Sequence, residues 1–200
     1  MTKKPEIEEL IKKYGQPYSK TLNINLNSKK ESEIFRWFLA SILFGKRISE
    51  KIAIKTYKTF EKNNVLTPRK ILDKRWKGLV KILDDGGYAR YDFSTASKLL
   101  LIMKTLLQKY GSLNNLYKQS SDSEDVEKRL QEFKGIGPVT INIFLREMRV
   151  IWPKSDVKVL PVINKTAKKL KIKIYKFNKK TNTFIKLECA LYRFSKKNQE

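Results

Sequence analysis

The chain leaves few residue types to do chemistry. It has no histidine and a single cysteine, Cys189. That removes the commonest general base, the commonest zinc ligand, and every Ser-His or Cys-His nucleophilic scheme. One cysteine also excludes an internal disulfide, and a four-cysteine iron–sulfur cluster supplied by this chain. Carboxylates, lysines, tyrosines and backbone dipoles remain. Two features among them stand close in sequence. One is the run Lys134-Gly135-Ile136-Gly137-Pro138. The other is Asp156, nineteen residues beyond Gly137, between Lys154 and Lys158 and beside the apolar Val157, Val159 and Leu160. An acid among lysines is ordinarily a solvated surface charge. Here it follows a segment suited to hold an anion, and a histidine-free chain acting on nucleic acid needs a carboxylate.

The anion-holding segment is residues 126–149. Val126 to Phe133 has helical spacing and ends at Lys134-Gly135, and Gly135-Ile136-Gly137 makes a tight turn. Pro138 then opens a second helix at the position where its missing N–H costs nothing. Two helices joined by so short a turn form a helix-hairpin-helix. Its glycines admit close backbone approach, and the unpaired amides of the second helix start favour a phosphate. Gly135, Ile136, Gly137, Val139, Thr140 and Lys134 are therefore the candidate phosphate-binding residues. The plainer alternative is a helix stop followed by a helix start.

Charge favours the phosphate. There are 44 Lys+Arg against 20 Asp+Glu in 200 residues, a formal net charge of +24. A 40% hydrophobic content supports a packed core, so the chain is not a disordered basic tail. A folded protein this basic repels itself and calls for a polyanionic partner, nucleic acid first and an anionic membrane surface second. No run of eighteen apolar residues occurs, and Met-Thr-Lys-Lys-Pro at the start lacks a signal-peptide core, so a soluble, cytoplasmic protein without a membrane role is expected.

The elements that must position these residues read as all-α. A short helix over 5–14 and an Asn-rich irregular arm over 21–27 make an N-terminal section, residues 1–30. Residues 31–200 form the main domain. Ser32 is the expected cap of a helix over 33–44, apolar almost all round and so central. Ser49 caps a helix with Ile52, Ala53, Tyr57 and Phe60 on one face. Two short helices over 69–72 and 76–83 end at Gly86-Gly87. An aromatic and charged loop, 89–93, precedes an amphipathic helix over 94–110 with Leu99, Met103, Leu106 and Leu107 at helical intervals. Residues 184–194 make a last amphipathic helix. Lys171 to Phe177 alternates, and is the one place where a strand is expected.

Gly135-Ile136-Gly137-Pro138-x-Thr140-x-Asn142, with Asp156 beyond it, resembles the helix-hairpin-helix, Gly/Pro-rich loop and Asp signature of the base-excision DNA glycosylase superfamily, which includes endonuclease III and the 3-methyladenine glycosylases. Phe35 to Phe44 is similar to the family's central helix, Gly86-Gly87-Tyr88 and Ala96-Ser97-Lys98 to its next signature, and Ala190 to Phe194 to its closing helix. The likeness spans most of residues 32–195, and the portion from hairpin to Asp carries its specificity. Residues 47–54 and 152–158 are similar to the thymine/uracil mismatch glycosylases.

The resemblance implies a two-lobed helical fold with a cleft between lobes, the C-terminal helix packing back on the N-terminal part. A monomer would bind double-stranded DNA containing a damaged or mismatched base and flip that base into the cleft. Asp156 falls where the family keeps its catalytic aspartate, which activates water and stabilises the sugar cation as the base leaves. Arg47 falls at the position that plugs the gap left by the base, and Tyr88 in the loop that wedges the opposite strand. Arg90, Tyr91, Asp92 and Trp152 are candidates for the pocket wall. Trp37, Phe44, Tyr91 and Trp152 offer stacking faces, with core packing the expected place for Trp37 and Phe44. Bifunctional members carry a nucleophilic lysine where this chain has Val139, so a Schiff-base step from that position is absent and monofunctional hydrolysis without metal or cofactor is expected. A non-catalytic damage-binding module and a charge-based RNA scaffold are the competing readings.

Overall fold

The computed structural model describes residues 6–197, in which every regular element is a helix. The strand expected over Lys171 to Phe177 is not formed. A 3-10 turn, Ile174–Lys176, buries Ile174 instead, and the alternation there serves packing rather than pairing. The N-terminal section is irregular over 22–25 as expected, and it packs against the core. After α1 (Ile7–Tyr14) and the short α2 (Tyr18–Thr21), the run from Leu22 to Asn27 buries its apolar residues Leu22, Ile24 and Leu26 and exposes the three asparagines between and after them. A turn with Asn23 at a left-handed φ of 56° and a 3-10 turn, Leu26–Ser28, aim these three side chains at the core.

The central element is α3 (Glu31–Phe44). It buries Ile34, Phe35, Trp37, Phe38, Leu39, Ala40, Ser41, Ile42 and Leu43, as its all-round apolarity requires. It starts two residues before the expectation, with Lys30 at the cap position, so Ser32 lies inside the first turn. Ser49 does cap α4 (Glu50–Lys62), accepting from the Ile52 N–H. The next two predicted helices run together as α5 (Pro68–Asp85), broken where Arg75 takes a left-handed φ of 55°. Then come α6 (Asp92–Lys109), α7 (Leu113–Gln119) and α8 (Ser123–Gln131), the last capped by Asp122. After the glycine turn follow α9 (Pro138–Met148), α10 (Pro161–Lys169) and α11 (Asn182–Lys197).

Two hydrophobic cores form. The larger gathers α3 to α9, with the Trp37 indole N–H donating to the Phe144 carbonyl at 3.0 Å and tying α3 to α9. The smaller joins Leu10 of α1, Ile163 and Ala167 of α10, and Phe184, Leu187, Ala190 and Leu191 of α11. A buried ion pair bridges them: Arg149, just past α9, binds Glu188 of α11, with both side chains out of solvent. Burial in this setting pushes the Glu188 carboxyl above the usual carboxylate range, against the pull of Arg149 and Arg146. Burial also pushes the Cys189 thiol up to about 12, which makes it a packing residue rather than a reactive one.

Candidate nucleic-acid interface and carboxylate

Residues 132–137 turn the chain from α8 into α9 as the spacing predicts. The Ile136 N–H donates back to the Phe133 carbonyl at 2.9 Å, and Gly135 takes φ +98°, open to glycine at little cost. Gly135 is needed twice over, because a Cβ there would lie 2.7 Å from Cδ of Lys98. Gly137 is different. It is the N-cap of α9 with an extended backbone, φ −105° and ψ 176°, and a Cβ added to it would meet nothing within 4 Å. The open space lies outside the helix start. The first-turn amides of Val139 and Thr140 have no carbonyl four residues back within the helix, and no side-chain cap is present.

Within this turn the expected residues divide. Lys134 and Val139 are exposed, Val139 by 53%, and available to a partner. Ile136 is buried and its N–H is engaged, so it anchors the turn rather than offering a contact. The Thr140 side chain is buried against the end of α3, where a Cβ on Gly45 would stand 2.1 Å from Thr140 Oγ1.

That close approach brings the connector after α3 to the hairpin. Arg47 is exposed there, and Lys46 is half-buried next to it. Lys46 lies within hydrogen-bond reach of Lys98 from α6, whose stem covers Gly135. Burial first, and then Lys98, bring the Lys46 ammonium down to about 8. Nothing in the sequence marks this pair, since the two lysines stand far apart in the chain and lysines are everywhere in it.

Tyr88 does not wedge anything. It is 1% exposed and its hydroxyl donates to the Leu43 carbonyl at 2.7 Å, because the Gly86-Gly87 turn folds it inward against the end of α3. Burial raises its phenol above the ordinary tyrosine value. Arg90 is exposed and Tyr91 half-buried, with the guanidinium 5.6 Å from the ring centre, and both stay near the surface. Asp92 accepts from the Phe93 N–H at 2.6 Å and serves the start of α6. Trp152 is no pocket wall either. It is 2% exposed, stacked on Tyr117 at 4.7 Å and edge-on to Phe144, so it fills the core.

Asp156 is exposed on the segment between α9 and α10. Several contacts pin that segment. The Asp156 N–H donates to Ser123 Oγ at 3.0 Å, the Arg149 guanidinium donates to the Val157 carbonyl at 2.5 Å, and the Asn142 amide donates to the Lys158 carbonyl at 2.8 Å. Val157 packs in the larger core, whereas Val159 and Leu160 pack against the smaller one, so Asp156 stands where the chain crosses between them. Its carboxylate accepts from Lys179 Nζ at 3.0 Å. The structure does not place it beside the glycine turn: Ser123 opens α8, so roughly 12 Å of helix separates it from the turn.

Sequence reasoning passed over Arg149 and Ser123, and met Asn142 only as part of the hairpin motif; all three hold the acid's segment in place. A buried arginine beside a conventional helix end looks like any other surface cation in so basic a chain. No protein-family model matches the chain, and no curated protein or solved structure matches it either. Among the described residues no helix is long and apolar enough to cross a membrane.

Proposed function

We propose that the protein is a DNA glycosylase that grips the backbone of duplex DNA at the turn around Gly137 and hydrolyses the N-glycosidic bond of a flipped, damaged or mismatched nucleotide at Asp156. The observation that carries this reading is the mounting of Asp156, an exposed carboxylate pinned to both hairpin helices where the chain passes from one core to the other. In this account the two cores are the two lobes. The duplex lies along the basic face made by Lys134, Arg47, Lys46 and Lys98, and positive charge there displaces counterions from the phosphates. As the glycosidic bond breaks, its electron pair leaves with the base. Asp156 faces the developing sugar cation and takes the proton released as water adds to C1′, which then passes to the departed base. Val139 offers no amine, so the product is an abasic site on an intact strand. The protein works as a monomer without a cofactor, in the compartment that holds the chromosome.

Incubation with a panel of lesion-bearing duplexes, followed by alkali, tests the reading. Strand breaks with wild-type protein and none with Asp156→Asn support it; release of no base from the panel, or equal release by the variant, removes it.

The Asp156–Lys179 contact and the separation of the acid from the turn favour a second reading, in which the protein binds damaged duplex without turnover. It expects tight, salt-sensitive binding to abasic or mismatched DNA and no base loss.

A further inference from the structure

We infer that Lys46 and Lys98 form a two-lysine cradle that takes a single phosphodiester group of the DNA backbone, separate from the amides at the start of α9. The inference rests on the DNA-binding reading above and adds a site to it.

The two ammonium groups come from different elements, the connector after α3 and the body of α6, yet lie within hydrogen-bond reach of each other. Gly45 is pressed on Thr140, which fixes where Lys46 starts, and the Lys98 stem is laid across Gly135. Both side chains are half-buried. Two like charges held together this way repel, and only burial and Lys98 act on Lys46; no carboxylate offsets them. The acids nearest in sequence are engaged elsewhere, Glu50 with Tyr18 and Arg193, and Asp92 with the amide of Phe93. The turn packed against the pair contributes a further cation, the exposed Lys134. What this arrangement lacks is an anion between the amines, and a phosphate oxygen placed there accepts from both at once.

A proton-linked signature follows. Without an anion the Lys46 amine is held near 8. A bound phosphodiester favours its charged form, so binding above that pH draws a proton from solution. Phosphodiesters do not titrate in this range, which keeps the uptake on the protein side.

The test is calorimetry of the full chain with a short DNA duplex at pH 8.5 in buffers of different ionisation heat, together with the salt dependence of affinity. Wild type should take up at most about three-quarters of a proton, the unprotonated share of one amine that sits near 8. Lys46→Met should abolish the uptake and lower the salt slope by about one phosphate contact. Lys98→Met keeps the stem over Gly135 and should reduce the uptake without abolishing it, since burial, the larger cause, still holds the Lys46 amine down. If duplex binds but Lys46→Met shows the wild-type uptake and slope, the cradle is wrong and the DNA-binding reading stands. A parallel titration with inorganic polyphosphate separates the other case. Proton uptake lost in Lys46→Met, without duplex binding, keeps a phosphate cradle and overturns DNA as its ligand; no uptake with either probe overturns the cradle, and only failure to bind duplex overturns the DNA reading as well.

Discussion

The main-chain N–H of Asp156 donates to Ser123 Oγ at 3.0 Å, so the first residue of α8 holds the acid that follows α9. The hairpin is thereby a mount for the carboxylate segment, since each of its two helices ties that segment down, through Ser123 and Asn142. Ser123→Ala removes one of these ties and leaves the turn intact. Base release by this variant is expected to fall about tenfold or more, as a catalytic group loses its placement, with duplex affinity unchanged. Single-turnover rates beside equilibrium binding check this, and a loss of affinity with unchanged rate would count against it.

The hairpin glycines should respond differently to the same substitution. Gly135→Ala forces a side chain into a left-handed backbone and against Lys98, so it should lower both stability and duplex affinity. Gly137→Ala meets extended backbone and open space, so stability should change by less than about 1 kcal/mol. Its methyl group occupies the place into which a DNA backbone would come, and affinity should fall at least as far as in Gly135→Ala. Denaturant melts and anisotropy titrations of the two variants decide this. Wild-type affinity in Gly137→Ala would mean the backbone does not approach there.

Glu188→Gln leaves the Arg149 guanidinium charged and buried without its partner, and should cost about 3–5 kcal/mol in denaturant unfolding. The exposed Lys179–Asp156 pair is the contrast: Lys179→Gln should cost less than about 1 kcal/mol. Equal effects of the two would contradict the assignment of Arg149 and Glu188 as the tie between the cores.

Lys46 gives a pH dependence of stability. Its amine sits near 8 in the folded protein and in the ordinary lysine range when unfolded, so between those values the unfolded state binds more protons. Stability contributed at this site therefore rises with pH across that window, because a strained charge is being removed. Lys46→Met is expected to be more stable than wild type at pH 7, with an advantage that shrinks toward pH 10. Thermal melts across the range read it directly; an advantage that grows with pH would reverse the sign and refute the assignment.

Much of the frame was legible because it depends on local pattern. The all-round apolarity of Phe35 to Phe44, the Leu99-Met103-Leu106 stripe and the Gly135-to-Pro138 turn each dictate their own geometry over a few residues, and the structure has them as read. What could not be read depends on who meets whom. Tyr88 and Trp152 are aromatics in loops, and whether such a ring faces a ligand or the core is decided by neighbours such as Leu43 and Tyr117, far off in the chain. The Asn-rich run over 21–27 is as irregular over 22–25 as its composition suggests, and only the core supplies a reason for its buried Leu22, Ile24 and Leu26. The distance between Asp156 and the glycine turn is of the same kind: it is set by the contact with Ser123, which spacing does not reveal.

The central claim is that Asp156 does the chemistry while the hairpin does the holding. The measurement closest to it is the single-turnover rate of base release by wild type and Asp156→Asn, enzyme in excess, on the best lesion of the panel, with affinity measured on the same duplex. The account predicts a fall of about 10²–10³ in rate, the scale of losing one placed electrostatic stabiliser, and affinity within about twofold, since that carboxylate grips no phosphate. Equal rates in the two proteins, or tight binding of every duplex with no base released by either, would contradict it.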